Sequence, residues 1–233
     1  MSFNTEKRAF ISDIHSNLPA LESAINKIKS LGISRIYCLG DIIGYHTFTN
    51  EVIQLLKENG VISIKGNHDL AITEEAFNRS KESDFVLYWN YDALTPENLT
   101  YIKELPLNLE VQVEDISIKL VHGSPESITE YIREGSPEVS IYMDRMESDI
   151  LMCGHTHIPY IVENNGKYLL NTGSIGKPKF GKPEASFIVL TINGREISPE
   201  ILSIPYDVEK MTNDLAKNNF PDKLIKAIET GLP

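Results

Sequence analysis

Polar residues that can ligate metal ions follow five of the apolar segments in this 233-residue chain. Each group begins where a short hydrophobic run ends, and each contains a carboxylate, an imidazole or an amide side chain. The groups are Asp13-Ile-His15, Gly40-Asp41, Gly66-Asn67-His68-Asp69, Val121-His122-Gly123 and Gly154-His155-Thr156-His157. Because the carboxyl ends of strands in an α/β sheet open onto one crevice, groups far apart in sequence become neighbours there. The spacing therefore predicts one polar site built from five strand ends.

The residue types in these groups favour a metal centre that contains no thiolate. Carboxylate, imidazole and amide oxygen suit manganese, iron, zinc, nickel or magnesium. Two carboxylates, four imidazoles and one amide exceed the needs of a single ion, so we expect two ions that share a ligand. A carboxylate can bridge ions about 3.5–4 Å apart, as two-metal hydrolases require. Any one group alone is typical of a helix cap, a turn or a core histidine, whereas five groups in order favour the metal centre.

The elements that must position the first three groups alternate between strand and helix. Short apolar runs predict three strands, at residues 9–13, 36–39 and 61–64. Apolar residues at helical spacing predict one helix over 18–31, with Asn17 as its cap and Pro19 in its first turn, and another over 52–56. This rhythm indicates βαβ units and a largely parallel sheet.

The rest of the chain has a different pattern. Residues 70–105 read as a helical insertion between the third and fourth polar groups, with helices over 71–79 and 85–94 and from Thr95-Pro96 to Pro106. Later strands are predicted at residues 109–113, 116–121, 150–153, 160–162, 167–170, 187–192 and 201–204. Helices are predicted over 137–146 and 207–230. We expect the later strands to form a second, mostly antiparallel sheet.

Composition limits the class of protein. Asp and Glu outnumber Lys and Arg by 33 to 22, and a net charge of −11 argues against a bulk nucleic-acid binder. The chain has only two cysteines, Cys38 and Cys153, which are too few for a disulfide framework or a thiolate-rich zinc site. No apolar run reaches the roughly 18 residues of a membrane span, and no signal region follows residues 1–8. We expect a single cytoplasmic domain over residues 1–233, without a membrane partner and with its oligomeric state unspecified.

The ordered motifs resemble those of the calcineurin-like metallophosphoesterase family. The family pattern runs D-x-H, G-D, G-N-H-D/E, a lone His and G-H-x-H, and it is complete here between residues 13 and 157. Gly40-Asp-Ile-Ile-Gly-Tyr45 and Asn171-Thr-Gly-Ser174 resemble the small bacterial and archaeal branch. The resemblance covers nearly the whole chain. It implies an α/β fold of two mixed β-sheets flanked by helices, and a phosphoesterase that acts on a small phosphate ester.

The resemblance also implies roles for individual residues. The family's metal ligands map onto seven positions: Asp13, His15 and His157 for the first ion, Asn67, His122 and His155 for the second, and Asp41 as the bridge. His68 is not a ligand in the family, and it faces the substrate phosphate to stabilise or protonate the leaving group. The implied cofactors are two divalent ions, with manganese(II) favoured. The implied nucleophile is a hydroxide that bridges them.

The sequence departs from the family pattern at Gly44 and His46, and at Thr172, which replaces the proline of the branch's usual Asn-Pro-Gly-Ser. Many members carry a second acidic residue, in G-D-x-x-D, that orients the catalytic histidine, and here Gly44 takes that place. Asp69 is a candidate substitute. His46 stands where the branch often has Gly, and it is either a loop residue or a substrate contact at the mouth of the site. Ser174 either lines the pocket or forms part of a turn.

Substrate selection is expected in the helical segment 70–105. Trp89 either stacks on a base or another planar group of the substrate, or packs in the core. A basic run either forms a solvated loop or contacts a second phosphate, and it consists of Lys177, Lys179 and Lys182. The branch implies phosphodiester or dinucleoside-polyphosphate substrates. Alternatives are a phosphomonoesterase and a non-catalytic scaffold like the retromer subunit, which resembles this fold but has lost ligand residues.

Overall fold

Ten strands and eight α-helices make up residues 5–233, the part of the chain that this computed structural model describes. Residues 1–4 lie outside the described part of the chain. They belong to the N-terminal segment for which no signal region is predicted. The strands are β1 (Glu6–Ile11), β2 (Ile36–Cys38), β3 (Ile62–Ser63), β4 (Asn108–Val113), β5 (Ile116–Val121), β6 (Ile150–Cys153), β7 (Tyr160–Asn164), β8 (Lys167–Asn171), β9 (Glu184–Asn193) and β10 (Glu196–Pro205). The helices are α1 (Leu18–Ser30), α2 (Thr49–Glu58), α3 (Asn67–Thr73), α4 (Phe85–Ala93), α5 (Pro96–Glu104), α6 (Pro137–Arg145), α7 (Val208–Lys217) and α8 (Asp222–Thr230).

The strands form two mixed five-stranded sheets. The first has the order β10-β9-β1-β2-β3, with parallel pairs between β1, β2 and β3 and antiparallel pairs between β10, β9 and β1. The second has the order β4-β5-β6-β8-β7. The predicted class, two mixed sheets flanked by helices, is confirmed. The expectation of a mostly antiparallel second sheet is wrong, because β6 pairs parallel with both β5 and β8, and because β9 and β10 join the first sheet.

The first helix forms as its sequence predicts. The Asn17 side chain accepts a hydrogen bond from the Ala20 amide, and Pro19 lies in the first turn. The helix buries one apolar stripe against the first sheet, made of Leu21, Ala24, Ile25 and Ile28. Burial of each Leu or Ile side chain contributes roughly 1.5–3 kcal/mol. The helix thereby fixes the loop that leads from β1 to Asn17 and contains the first polar group.

Two elements differ most from their predicted bounds. Helix α3 ends at Thr73 instead of continuing to residue 79, because Glu75 adopts a left-handed φ of 53° and the Ala76 amide donates to the Ala71 carbonyl, a bond that closes a helix. Strand β10 begins at Glu196, five residues before the predicted strand. Pro199 interrupts the strand pattern there, but β10 lies at the edge of its sheet, where one side needs no partner.

The inner faces of the two sheets pack against each other. Phe10 of β1 and Ile188 of β9 share one hydrophobic cluster with Ile118 of β5 and Met152 of β6. This packing brings the carboxyl ends of β1, β2 and β3 to the same edge as those of β5 and β6. No helix within residues 5–233 is long and apolar enough to cross a membrane.

Candidate metal centre

Loops at five strand ends bring the predicted ligands together. They follow β1, β2, β3, β5 and β6, as the sequence predicts. Five of the seven predicted ligands adopt left-handed φ angles between 48° and 63°, namely Asp13, His15, Asp41, His155 and His157. Such a conformation costs a non-glycine residue about 1–3 kcal/mol, so it persists only where the surroundings impose it. The surrounding contacts impose this strained backbone conformation on the ligand loops.

One glycine allows two of these loops to approach closely. A β-carbon at Gly66 would overlap the backbone nitrogen and the carboxylate of Asp41. The Asp69 carboxylate holds the same two loops together, because it accepts hydrogen bonds from three backbone amides, those of Ile42, Ile43 and Gly66. Burial and the charge of Asp41 raise the pKa of Asp69 to about 6. The Asp69 carboxylate therefore binds backbone amides, and the structure does not place it as the partner of His68.

Asp13, His15 and His157 form the first group of donor atoms. The His157 Nε2 lies 3.1 Å from Asp13 Oδ1, the His15 Nε2 lies 3.7 Å from the same oxygen, and the two Nε2 atoms are 3.3 Å apart. Asp13 Oδ2 accepts hydrogen bonds from the Ser12 hydroxyl and the His155 amide, whereas the buried Oδ1 has no hydrogen-bond partner within residues 5–233. A buried, unpartnered carboxylate oxygen that faces two imidazole nitrogens fits a divalent cation.

Asp41, Asn67, His122 and His155 form the second group. The His122 Nε2 lies 3.4 Å from Asp41 Oδ2 and 2.9 Å from Asn67 Oδ1, and His155 has a ligand atom within 4.8 Å of those of Asp41 and His122. Asp41 Oδ2 also lies 3.5 Å from the His15 Nε2 of the first group. One carboxylate oxygen therefore lies between the two groups, at the place of a bridging ligand.

Backbone carbonyls orient three of the imidazoles. Each ring lies within hydrogen-bond distance of one carbonyl oxygen: His122 Nδ1 to Leu39 at 2.8 Å, His157 Nδ1 to Lys177 at 2.5 Å and His155 Nε2 to Thr129 at 3.1 Å. A ring that donates one N–H to a carbonyl presents the lone pair of its other nitrogen, as metal-ligating histidines usually do. The arrangement fits two divalent ions, which these residues would hold.

The protonation of these groups follows from burial and from their mutual charges. Burial alone would raise the pKa of Asp13, but the imidazoles of His157 and His15 outweigh it and hold that pKa well below its usual range. The pKa of Asp41 is lowered in the same way, against burial, by His122 and His68. Burial lowers the pKa of His15 well below its usual value. His122 differs, because the Asp41 carboxylate outweighs burial and raises its pKa to about 9.

Comparison with known proteins identifies the family. Residues 7–195 match the family model of the calcineurin-like phosphoesterase superfamily domain. This chain belongs to the calcineurin-like phosphoesterase superfamily. It is a metal-dependent phosphoester hydrolase.

Relatives of this phosphoesterase occur in bacteria and archaea. It is 32% identical to the uncharacterized protein MJ0912 of Methanocaldococcus jannaschii, over 93% of this chain and 94% of that one. It is 24% identical to phosphodiesterase YfcE of Escherichia coli K12, over 76% of this chain and 83% of that protein. The crystal structure of a metallophosphoesterase from Sphaerobacter thermophilus is similar over 98% of this chain and 100% of that chain, with a TM-score of 0.83 and 25% identity.

His68 lies beside the ligands of the phosphoesterase site without a carboxylate partner. Its ring centroid lies 5.0 Å from that of His15 and 4.7 Å from that of Tyr45, and its buried Nδ1 has no hydrogen-bond partner among residues 5–233. A β-carbon at Gly44 would lie only 2.8 Å from this Nδ1, so the ring leaves no room for a side chain at that position. His15, Asp41 and His68 also have ligand atoms within 4.8 Å of one another. The assignment of His68 to the substrate rather than to a metal stays a prediction.

The structure places two predicted substrate contacts, His46 and Ser174, behind the ligands. His46 is fully buried, and its Nδ1 lies 2.7 Å from the His15 carbonyl oxygen. Ser174 is also buried, and its hydroxyl donates to the Asp13 carbonyl while it accepts from the Lys177 amide. Both side chains therefore support ligand loops and do not line the mouth of the site.

Trp89, the third predicted substrate contact, packs against the C-terminal part of the chain. Its ring lies edge-to-face on Phe220, with the ring centroids 5.1 Å apart. It joins the hydrophobic cluster of α4, α7 and α8, which includes Met211 and Leu215. This placement corrects the stacking interpretation in favour of core packing, because the indole faces apolar side chains.

Sequence reasoning missed Asn90, which connects the helical segment 70–105 to the metal loops. The side chain is fully buried in α4. Its Oδ1 accepts from the Ser16 hydroxyl at 2.7 Å, the Thr49 hydroxyl at 2.7 Å and the Gly44 amide at 3.2 Å, and its Nδ2 donates to the His46 carbonyl at 3.2 Å. The only sequence signal was a single amide within the apolar run Phe85–Tyr91.

We expect Asn90→Ala to lower the free energy of unfolding by about 2–4 kcal/mol, because it leaves several buried donors without an acceptor. It should also lower kcat, since the loops that hold His15 and Asp41 lose a common anchor. Urea denaturation measures the first effect and a rate assay the second. Asn218→Ala, at an exposed helix end, is the matched control and should change the unfolding free energy by no more than about 0.5 kcal/mol. A loss below about 1 kcal/mol in the Asn90 variant would contradict this role.

Protons and metal ions should compete for His122. With a pKa of about 9, His122 is protonated at neutral pH in the metal-free chain, and it must lose that proton to ligate a cation. The apparent affinity for the second ion should therefore rise about tenfold per pH unit from pH 7 toward 9, and should level off above it. Competition with a fluorescent chelator at pH 7 and 8 measures the slope. His122→Asn should abolish it, and a pH-independent affinity in the unmodified chain would contradict the prediction.

Proposed function

We propose that this phosphoesterase hydrolyses phosphodiesters or substrates of the dinucleoside-polyphosphate type, and that it uses two divalent cations, with manganese(II) favoured. The observation that carries the proposal is the complete ligand set. The donor atoms form two groups with Asp41 Oδ2 between them, 3.5 Å from His15 Nε2 and 3.4 Å from His122 Nε2. A related protein of similar sequence is named a phosphodiesterase, which supports diesters as the substrate class.

The chemistry follows from the roles of the residues. Asp13, His15 and His157 would hold one ion, Asn67, His122 and His155 would hold the other, and Asp41 would contact both. When bound, the two ions activate the attacking water, orient the phosphate oxygens and neutralise charge that develops on them. His68 lies beside this site. Burial lowers its pKa, and the neutral ring can donate a hydrogen bond to the phosphate. Proton transfer to the leaving oxygen needs the protonated ring, which becomes neutral in that step.

Turnover of three substrates tests the proposal. The purified chain is assayed with manganese(II), and again with excess chelator, on bis(p-nitrophenyl) phosphate, p-nitrophenyl phosphate and diadenosine tetraphosphate. We expect metal-dependent hydrolysis, with kcat/KM higher for the diester than for the monoester. An Asp41→Asn preparation, purified in the same way, controls for contaminating phosphatases. Preference for the monoester would make the chain a phosphomonoesterase, and hydrolysis of none of the three would favour the non-catalytic scaffold.

A further inference from the structure

Three cationic side chains lie around the metal centre of this acidic chain. Lys177 follows the Ser174 turn and is 8% exposed, Lys179 is half-buried two residues later, and Arg133 is exposed at the opposite end of the site. Because the chain as a whole has a net charge of −11, an overall excess of basic residues does not explain this local concentration of positive charge. Lys182, from the same loop as the two other lysines, is exposed.

Lys177 is connected to the catalytic side of the site through one aromatic ring. Its Nζ lies 4.7 Å from the centroid of the Tyr45 ring, a cation–π distance. That ring packs against His15 and His68, with a centroid distance of 4.7 Å in each case. The Tyr45 ring therefore lies between the Lys177 ammonium group and the two imidazoles.

Arg133 has an equivalent position on the side of the second ligand group. Its guanidinium carbon lies 4.4 Å from the centroid of the Tyr131 ring, and that ring lies 4.1 Å from the ring of His155. Lys179 is half-buried two residues after Lys177. Burial lowers its pKa, and the charges of Asp13 and Asp41 act against that shift. Lys177 and Arg133 are therefore each one aromatic ring away from a ligand group, Lys177 from the first group and Arg133 from the second.

None of these three cations forms an ion pair in the described part of the chain. Within residues 5–233, no carboxylate oxygen lies within 4.0 Å of their nitrogen atoms, and their side chains donate no hydrogen bond. Burial and the charge of Lys179 lower the pKa of Lys177 to about 8, so it remains mostly protonated at pH 7. A cation removed from water without a partner is costly, and cations near two bound metal ions would repel them. An anionic ligand between them would remove both costs.

We propose that Lys177, Lys179 and Arg133 form a subsite for a second phosphate group of the substrate, beside the phosphate that the metal centre would hold. This inference rests on the proposed function. A simple diester has one anionic phosphate and makes no use of such a subsite. A substrate that contains two neighbouring phosphates places its additional negative charge among the three cations, so the subsite selects such substrates through KM.

The experiment compares charge-neutral variants on substrates with one and with two or more phosphates. Lys179→Gln and Arg133→Gln are tested, since the Lys177 backbone also supports His157, and Lys182→Gln is the matched control. Each test variant should raise KM for diadenosine tetraphosphate by about tenfold, as expected for a lost hydrogen bond to a charged group. The value of kcat/KM for bis(p-nitrophenyl) phosphate should change by less than about twofold. A 5′-phosphorylated thymidine dinucleotide serves as a third substrate, and a larger effect on it than on the tetraphosphate would assign an ester-linked second phosphate instead of an anhydride-linked one.

The possible outcomes distinguish failure of the proposed subsite from failure of the proposed function. Equal losses on the one-phosphate and polyphosphate substrates, or an equal effect of Lys182→Gln, would overturn the subsite. If the unmodified chain hydrolyses none of the substrates, the proposed function fails, and calorimetric binding of a methylene-bridged diadenosine tetraphosphate analogue to the manganese-loaded chain decides on the subsite. Weaker binding by about tenfold in the two test variants supports it, and unchanged Kd values overturn it.

Discussion

Replacement of Asp41 by Asn is expected to reduce phosphodiester hydrolysis by about 10³-fold or more and to weaken the binding of both metal ions. The substitution keeps the size of the side chain and removes one negative charge. Asp41 Oδ2 lies between the two ligand groups, 3.5 Å from His15 Nε2 and 3.4 Å from His122 Nε2, so the lost charge acts on two cations at once. His157→Ala should affect mainly the first ion, because His157 belongs to one group only.

Elemental analysis of dialysed protein, together with the hydrolysis rate of the same sample, measures both effects. Asp115→Asn, in the exposed turn between β4 and β5, is the matched control and should bind two ions and hydrolyse at the normal rate. An Asp41→Asn variant that retains two ions per chain and normal activity would show that Asp41 is not the shared ligand.

His68→Asn should lower kcat by about 10²–10⁴-fold while it leaves metal content and fold unchanged. The imidazole lies beside both ligand groups, and a positioned imidazole can protonate the leaving oxygen in the transition state. The effect should be larger for an alkyl ester than for a nitrophenyl ester, because nitrophenolate leaves with little need for a proton. We expect the lower part of the range, since His68 Nδ1 has no carboxylate partner within residues 5–233 and Gly44 offers none.

The two readouts distinguish the roles that the geometry allows for His68. Its ligand atom lies within 4.8 Å of those of His15 and Asp41, so loss of an ion from the variant would make His68 a ligand. An unchanged rate on the alkyl ester would exclude it from proton transfer. The expected result is a low rate on the alkyl ester with two ions still bound.

The sequence was sufficient to predict which residues would meet, because each ligand directly follows an apolar strand. Parallel strands such as β1 and β2 place their carboxyl ends at one edge by necessity. Hence Asp13 and Asp41 could be assigned to one site from these strands alone. His157 follows β6 of the other sheet, and its assignment to the same site depends on the order of the motifs, which resembles that of the family. The helix cap at Asn17 was likewise predicted correctly, since it depends on local chemistry.

The residues that support the ligands could not be predicted in the same way. His46, Asp69 and Asn90 act through hydrogen bonds to backbone atoms of other loops, and no periodicity or spacing reports such contacts. The environment of Gly44 depends on where the His68 ring lies, which is a tertiary property. Trp89 has the same helical spacing whether it faces a substrate or Phe220, so only the packing of α7 and α8 decided its place.

Reconstitution of the chelator-stripped chain with manganese(II) tests the two-ion mechanism most directly. The amount of bound metal per chain and the rate of bis(p-nitrophenyl) phosphate hydrolysis are followed in the same titration. The two ligand groups around Asp41 predict no hydrolysis before metal is added and a rate that reaches its maximum only at two bound ions per chain. Hydrolysis that persists without metal, or that reaches its maximum at one ion, would contradict this account.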